Sequence, residues 1–482
     1  MIKFYFPENQ IPFHFFEALQ IFGTACGLPS FCAEADSYRL ELLNEKGDAV
    51  KSDFITAEIA TRDAGVHAEG VSEANLLKRY LYKLMSEYTG YSSPWGCMTG
   101  VRPTKIVNVL KKHGMDNRAI FNHFKEFYLM SDDKANLAIE TADIQIPFLE
   151  EQLLHPENAG FYIGIPFCPT RCLYCSFTSN SIVKYKKSLD LYLDLLEREI
   201  KESLQIARQA GYKIESVYLG GGTPTSFDET RFERFMKIVT DNIDFSNVKE
   251  FALEAGRPDS ITKGKLLVAK NAGVNRISVN PQTMNDFTLR RIGRLHTANQ
   301  TEEAFYLARE AGFENINMDI IAGLPDENTD DFMRTLARIE EFSPDSLTVH
   351  TLSIKRAADL RLDEENRNLL HGDEVGVMVS AARDTATKLG MHPFYMYRQK
   401  NMMGNHENVC YCRPGCESPY NIHIMEEEQT IIATGAAGVS KRVSAGGDKI
   451  ERAFNVKGIE DYMARLDLMI ERKRELFLND KF

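Results

Sequence analysis

Three cysteines lie within eight residues, at Cys168, Cys172 and Cys175. Thiolates are soft ligands that suit iron-sulfur clusters and zinc, and one tight loop can bring three of them to a single metal centre. A structural zinc site normally has four protein ligands, whereas a cubane held by three cysteines leaves one iron open to a ligand. The spacing therefore predicts a metal centre, with a zinc knuckle or unrelated thiols as the alternatives.

Three consecutive glycines, Gly220, Gly221 and Gly222, are followed by Thr223. Glycine lets the backbone approach a ligand closely while exposing amide and carbonyl groups. A glycine run alone is weak evidence. Its position one predicted strand after the cysteines favours a ligand-binding role.

Polar residues follow the later apolar runs of the same region: Glu254, Gln282, Arg294 and Asp319. Glu254 could bind a ribose or an ammonium group. The alternative is that it is a solvated carboxylate at the end of a strand. Arg294 is assigned to a carboxylate because its planar guanidinium binds one bidentately. His296 could be a general acid, but a structural histidine is favoured.

Short apolar runs that alternate with helical patterns must position these residues. Six runs are predicted as strands: 161–165, 216–220, 249–254, 275–279, 315–321 and 346–352. The helical spacing of apolar residues predicts a helix over 189–207. Repeated β/α units imply a parallel sheet, and barrel-like closure brings the loops after the strands together. The predicted fold class is α/β, a partial (β/α)6 barrel with an N-terminal α+β domain and a mainly helical C-terminal extension.

The predicted domains are 1–155, an α+β domain of unknown role, 156–375, the barrel, and 376–482, a region that covers the substrate. Strands are predicted at 2–6 and 37–42, and helices at 73–88, from Pro103 to Leu110, and at 462–474. Trp95 is predicted to be an aromatic anchor rather than a surface that stacks on substrate.

The composition indicates a cytoplasmic enzyme. The chain has 482 residues, a net charge of −12 and 43% hydrophobic residues. No apolar stretch is long enough for a membrane span, and no signal peptide is expected. The acidic charge argues against a protein that coats nucleic acid. Nine cysteines, an odd number, fit a reducing compartment.

A second group of cysteines comprises Cys410, Cys412 and Cys416. It could bind an auxiliary cluster or zinc. The spacing Cys-x-Cys-x3-Cys matches no family site that we can name, and the interpretation without metal is favoured.

The cysteine loop resembles that of the radical S-adenosylmethionine (SAM) enzymes. From Phe161 to about Lys441, the chain is similar to the oxygen-independent coproporphyrinogen III oxidase family. The segments Trp95 to Pro103 and Tyr397 to Asn401 make it most similar to the coproporphyrinogen dehydrogenase branch, HemZ. The resemblance implies a [4Fe-4S] cluster and SAM as cofactors. It also implies a porphyrinogen substrate, an electron donor and an electron acceptor.

The resemblance also implies residue roles. Cys168, Cys172 and Cys175 would bind the cluster, with Tyr162 and Phe177 beside it. Tyr162 and Arg294 would be catalytic, and the residues expected around SAM are Tyr162, Phe177, Gly221, Gly222, Thr223, Glu254, Gln282, Arg294 and Asp319. One departure is that Phe177 stands where the oxidases have a fourth cysteine, as in the related heme chaperones. The alternatives to the oxidase are therefore a heme chaperone and a radical SAM enzyme that degrades heme.

Overall fold

The computed structural model describes residues 1–7, 11–23, 28–33, 37–68, 71–353, 372–399, 402–444, 447 and 449–479. The chain divides into two compact units. The first comprises Met1–Asp143, Leu370–Val377 and Met396–Asn408, and the second comprises Ile144–Leu369, Met378–Tyr395 and Val409–Phe482. The three-domain division stays a prediction. Within the segment Tyr397 to Asn401, Lys400 and Asn401 lie outside the described residues.

The first unit contains a four-stranded sheet in the order β2-β1-β3-β4. Its strands are β1 (Ile2–Tyr5), β2 (Ser30–Cys32), β3 (Arg39–Leu43) and β4 (Ala49–Phe54). The helices of this part of the chain are α1 (Phe13–Gly23), α2 (Ala57–Ala64), α3 (Glu73–Thr89), α4 (Pro103–Lys112), α5 (Asn117–Glu126) and α6 (Asp132–Leu154), and the boundary between the units falls within α6. The predicted strands β1 and β3 and helices α3 and α4 are confirmed.

Trp95 is fully buried in the first unit. Its Nε1 donates a hydrogen bond to Glu407 Oε2 at 2.7 Å, and Lys134 Nζ lies 2.6 Å from the other carboxylate oxygen. The guanidinium of Arg398 lies 5.2 Å from the centroid of the indole ring. Trp95 is therefore a packing residue rather than a surface on which a substrate stacks.

The second unit is built on parallel strands. The strands of its first part are β5 (Asn158–Ile165), β6 (Phe167–Cys168), β7 (Asn180–Ser181), β8 (Lys213–Gly221), β9 (Glu250–Glu254), β10 (Arg276–Ser278), β11 (Ile316–Ala322) and β12 (Ser346–Thr351). The intervening helices are α7 (Leu189–Gln209), α8 (Glu229–Asn242), α9 (Lys263–Asn271), α10 (Asp286–Arg291), α11 (Ala298–Glu310) and α12 (Thr329–Phe342). β5 and β8 to β12 are parallel neighbours. The six predicted strands and the partial (β/α)6 barrel are confirmed.

The C-terminal region contributes both helices and strands. They are α13 (Gly372–Lys388), β13 (His392–Tyr397), β14 (Asn408–Cys412), α14 (Pro419–Glu426), β15 (Thr430–Thr434), β16 (Val439–Val443), β17 (Ile450–Phe454), α15 (Ile459–Ala464) and α16 (Leu466–Leu478). The strands of this region join β5 and β8 to β12 in one large sheet, in the order β13-β14-β12-β11-β10-β9-β8-β5-β15-β16-β17. The helix predicted over 462–474 is interrupted at Arg465 between α15 and α16.

The barrel core follows from apolar residues on both faces of the parallel strands. Phe161, Ile163 and Ile165 on β5 are fully buried, as are Leu193 and Leu196 on α7. Burying a large apolar side chain contributes about 1.5–3 kcal/mol, so this layer holds β5 in register. Among the described residues, no helix combines the length and apolar character needed to cross a membrane.

Candidate functional site

The cysteine loop begins where β5 ends. Its two ends are joined by the parallel pair β6 and β7, with Phe167 opposite Asn180 and Cys168 opposite Ser181. Between them, the Cys175 amide donates to the Cys172 carbonyl oxygen at 3.0 Å. The loop is thus closed on itself, with all three cysteines inside it.

A tight turn after α10 supports the middle of this loop. The Leu173 amide donates to the Ile292 carbonyl oxygen at 3.0 Å, and Thr170 Oγ1 donates to the Gly293 carbonyl oxygen at 2.7 Å. Gly293 has φ +79°, and a Cβ on it would lie 2.9 Å from the Arg171 carbonyl oxygen. Glycine is therefore needed here for both conformation and space.

Each thiol has an identifiable environment. Cys168 Sγ lies 3.4 Å from Thr223 Oγ1, and the Phe177 amide is hydrogen-bonded to Cys175. Burial raises the pKa of the Cys168 thiol to about 11. Because the thiolate is the metal ligand, binding of a metal centre must displace the proton of Cys168 at neutral pH.

Arg257 places a positive charge beside the cysteine loop. It was not predicted from the sequence. It is 2% exposed, and its Nη1 lies 3.7 Å from Cys172 Sγ. Nη2 donates to Thr170 Oγ1 at 3.1 Å, and Asp259 accepts two further bonds of 3.0 Å each. The available signal was an arginine between Gly256 and a proline, directly after strand β9.

The glycine run at the end of β8 lies against the cysteine loop. The Gly222 amide donates to the Ile165 carbonyl oxygen and the Thr223 amide to that of Phe167, each at 2.7 Å. A Cβ on Gly222 would lie 2.5 Å from the Phe167 carbonyl oxygen and 3.0 Å from Cys168 Sγ. Gly221 has φ +104°, which disfavours other residues. The run is required for this close approach.

Arg294 reaches the cysteine loop from the turn after α10. Its Nε donates to Tyr174 Oη at 3.2 Å, and its Nη1 donates to the Asn280 carbonyl oxygen at 2.6 Å. The side chain is 6% exposed and also interacts with Cys172. A permanent positive charge thus lies beside the predicted cluster ligands.

Glu254 and Asp319 form a pair of half-buried carboxylates in the barrel. Tyr218 Oη donates to Glu254 Oε1, and Asn280 Nδ2 lies 3.4 Å from Oε2. Burial and the charge of Asp319 raise the pKa of Glu254 to about 7. Burial also opposes ionisation of Asp319, but His350 and neighbouring donors outweigh it and lower the pKa of that carboxyl.

Gln282 joins this group through its backbone. Its amide donates to the Asp319 carbonyl oxygen at 2.9 Å, and its own carbonyl oxygen accepts from the Ile321 amide at 3.0 Å. The φ of Gln282 is +67°, which is uncommon for a residue other than glycine. Such conformations concentrate at functional sites.

Comparisons with known proteins identify the chemistry of this arrangement. Residues 162–339 match the family model of the radical SAM superfamily. The oxygen-independent coproporphyrinogen-III oxidase-like protein HemZ of Bacillus subtilis (strain 168) is 38% identical over 396 residues, 82% of this chain and 79% of that protein. The chain belongs to this radical SAM family.

Two further relatives are similar over shorter spans. The heme chaperone HemW of Bacillus subtilis (strain 168) is 30% identical over 314 residues, 64% of this chain and 76% of that protein. The solved structure of coproporphyrinogen III oxidase from Escherichia coli has a TM-score of 0.51 at 22% identity, over 69% of this chain and 73% of that one. This structure supports the fold.

The site residues fit the cofactors of a radical SAM oxidoreductase, a [4Fe-4S] cluster and SAM. Three thiols from one closed loop provide the soft donors, and Arg257 and Arg294 provide positive charge. Gly222 keeps free the space that a side chain would fill between Cys168 and the end of β8. The chain therefore has the donor set and the glycine cradle that the two cofactors require.

Tyr162 and Phe177, both predicted beside the cluster, have different surroundings. The Tyr162 ring stacks in the barrel with Tyr218 and Tyr420, at centroid distances of 6.4 Å to each. Burial raises the pKa of Tyr162, so its phenol is protonated at neutral pH. The Phe177 side chain is 69% exposed, and only its backbone is tied to Cys175. His296 is buried with a pKa lowered by burial to about 3, which favours a structural role.

Proposed function

We propose that this chain catalyses the oxygen-independent oxidative decarboxylation of coproporphyrinogen III to protoporphyrinogen IX in heme biosynthesis. The observation that carries the proposal is the extent of the likeness to the HemZ protein. An alignment of 396 residues is longer than the span from Ile144 to Phe482, so the likeness extends into the first unit. The alignment to the heme chaperone, 314 residues, is shorter than that span.

In the proposed reaction, two propionate side chains of the substrate become vinyl groups. When bound, SAM and the cluster supply a 5′-deoxyadenosyl radical that abstracts hydrogen. Each propionate loses one hydrogen atom to this radical, one electron to an acceptor, and carbon dioxide. A reductant and an electron acceptor are therefore part of the proposal.

The chain itself would bind and orient both molecules. Cys168, Cys172 and Cys175 are the proposed cluster ligands, and Arg294 is proposed to bind the carboxylate of SAM through its guanidinium. Glu254, whose pKa of about 7 makes it able to accept or donate a hydrogen bond near neutral pH, is proposed to bind the ribose or the ammonium group. The stacked rings of Tyr162, Tyr218 and Tyr420 are proposed to limit the access of water to the barrel.

The second candidate function is a heme chaperone that keeps the cluster. Phe177 favours it, because the side chain at this position is not a metal ligand and is exposed. We also propose that the chain works in the cytoplasm, since cluster ligation needs reduced thiols.

The decisive experiment is anaerobic incubation of the reconstituted protein with SAM, a reductant, an electron acceptor and coproporphyrinogen III. We expect release of carbon dioxide, formation of protoporphyrinogen IX and stoichiometric 5′-deoxyadenosine. The Cys168→Ala variant serves as the matched control and should give none of these products.

A parallel incubation with heme separates the alternatives. Tight heme binding without turnover of coproporphyrinogen III would favour the chaperone. Loss of the heme absorption together with SAM consumption would favour heme degradation. Either result would overturn the proposed decarboxylation.

A further inference from the structure

A group of three metal-binding side chains lies outside the radical SAM site. The ligand atoms of His392, Cys412 and Glu417 all lie within 4.8 Å of one another. His392 Nε2 is 2.8 Å from Glu417 Oε1 and 3.8 Å from Cys412 Sγ. The side chains of His392 and Glu417 are 19% and 14% exposed, and Cys412 is fully buried.

These distances match those required around a zinc ion. With bonds of about 2.0 Å to nitrogen and oxygen and about 2.3 Å to sulfur, tetrahedral zinc holds a nitrogen and a sulfur ligand about 3.5 Å apart, and a nitrogen and an oxygen ligand about 3.3 Å apart. The corresponding distances here are 3.8 Å and 2.8 Å. The third pair, Cys412 Sγ and a Glu417 carboxylate oxygen, lies within 4.8 Å. Shifts of about one ångström or less, within the reach of side-chain torsions, bring all three atoms to one ion.

The chemistry of the three ligands points to the same ion. Thiolate, imidazole and carboxylate are the three ligand types that zinc binds in proteins. One thiolate and one carboxylate together neutralise a divalent cation. Without an ion, His392 pairs with Glu417 and also contacts the Cys412 thiol, so the three ligand types already meet at one imidazole.

The three ligands lie on three successive segments of the chain. His392 begins β13 and Cys412 ends β14, and these strands are neighbours in the sheet. A tight turn follows, in which the Cys416 amide donates to the Arg413 carbonyl oxygen at 3.0 Å and Gly415 has φ +84°. This turn leads the chain back, so that Glu417 lies beside the end of β14.

Two neighbouring cysteines do not belong to this group of ligand atoms. Cys416 lies one residue before Glu417, and the group whose ligand atoms lie within 4.8 Å of one another does not include it. Cys410 is differently placed, because its Sγ lies 3.2 Å from Thr348 Oγ1 and 3.8 Å from Asn317 Oδ1. The sequence triplet of Cys410, Cys412 and Cys416 therefore does not define the group.

This group lies far along the sheet from the cysteine loop. Cys412 pairs with Ser346, the first residue of β12, at the edge where the parallel strands begin. The loop of Cys168 follows the end of β5, at the opposite edge. A metal ion at Cys412 would thus be separate from the radical SAM site.

We propose that His392, Cys412 and Glu417 bind one Zn²⁺, with water as the fourth ligand. The ion fastens β13 and β14 to the turn that leads into α14. The N-terminus of α14 is itself tied to the barrel, because Ser418 Oγ and the Tyr420 amide donate to Glu250 at 2.5 Å and 2.9 Å. The site is independent of the proposed reaction.

Zinc, iron and sulfide are measured on the reconstituted full-length protein after incubation with Zn²⁺ and removal of unbound metal. We expect one zinc per chain. Because changes outside the ligand shell alone cost about 10–100-fold in metal affinity, His392→Gln, Cys412→Ala and Glu417→Gln should each weaken zinc binding by at least about tenfold. Iron and sulfide should stay unchanged, and the buried thiol variant Cys97→Ala should keep its zinc.

Three results would overturn the proposal: wild-type protein that holds no zinc, variants that hold as much as the wild type, or loss of iron in Cys412→Ala, which would indicate a second cluster. Zinc-edge X-ray absorption of the wild-type protein decides the question even if the variants fail to fold. One sulfur neighbour with nitrogen and oxygen supports the site, whereas several sulfurs or none contradict it.

Discussion

At the scale of single residues, the pKa values of two carboxyl groups in the second unit depend on their hydrogen-bond partners. Asp319 has His350 and neighbouring donors, which lower the pKa of its carboxyl despite burial. Glu327 accepts a hydrogen bond of 2.5 Å from Thr283 at Oε1, while no hydrogen bond to Oε2 is found among the described residues. Burial accordingly raises the pKa of Glu327 to about 7.

Glu327 makes stability depend on pH. Its carboxyl has a pKa of about 7 in the folded chain against 4.5 in the reference state, so the folded state binds the proton more tightly. The stabilisation is complete below pH 4.5 and is lost as pH rises to about 7. We expect Glu327→Gln to remove this dependence and to raise the free energy of unfolding at pH 8 by up to about 3 kcal/mol.

Denaturant unfolding at pH 5, 6, 7 and 8 measures the difference between Glu327→Gln and the wild type. The exposed Glu303→Gln on α11 is the control, and it should follow the wild type at each pH. A difference between Glu327→Gln and the wild type that is constant with pH would contradict the assigned pKa.

Residue roles were only partly predictable. The spacing of Cys168, Cys172 and Cys175 is local, so the sequence alone indicated their common loop. Arg257 and Tyr218 act through residues distant in the chain, and nothing in their sequence neighbourhoods specifies those partners. The group of His392, Cys412 and Glu417 was missed for the same reason, because its spacing follows no known motif.

At the scale of elements, the proposed site residues lie at or after the ends of the barrel strands. All six predicted barrel strands agree with the structure to within three residues at each end. Their apolar runs are buried on both faces, which gives a clear sequence signal. The strands β13 to β17 were not predicted. β14 and β15 are also buried at every position, but each has only five residues, and their place in the sheet depends on partners such as β12 and β5.

The contact between the glycine run and the cysteine loop makes a direct prediction. In Gly222→Ala, the new Cβ would lie 2.5 Å from the Phe167 carbonyl oxygen, so the loop must move. Since a displacement of about 1 Å can cost about 100-fold in rate, we expect 5′-deoxyadenosine formation to fall by about 100-fold. The iron content of the variant should fall as well.

Gly100→Ala is the control, because a Cβ at this position meets no atom within 4 Å. Iron, sulfide and 5′-deoxyadenosine are measured for both variants after identical reconstitution. Wild-type values in Gly222→Ala would show that the loop does not need this close approach.

At the scale of the whole chain, Glu199 on α7 connects segments that are distant in sequence. Its Oε2 accepts hydrogen bonds from the Gly435 amide at 2.7 Å and from Tyr462 Oη at 2.6 Å. Its Oε1 accepts from Asn455 Nδ2 at 2.7 Å and from Lys473 Nζ. One fully buried carboxylate thus ties the loop after β15, the end of β17, α15 and α16 to the first barrel helix.

Lys473 is the only cation among these four donors to Glu199, and its side chain is 1% exposed. In Lys473→Met, the carboxylate keeps three neutral donors and loses its counter-charge inside the protein. Breaking one partner of a buried ion pair costs about 3–5 kcal/mol, so the midpoint of denaturant unfolding should fall by the corresponding amount. The exposed Lys457→Met tests for a general effect of losing a lysine and should leave the midpoint unchanged.

Because Gly435 also bonds to Glu199, protease cleavage after β15 should become faster in Lys473→Met. Equal midpoints and equal cleavage rates in the two variants would mean that the C-terminal helices are held by apolar packing alone.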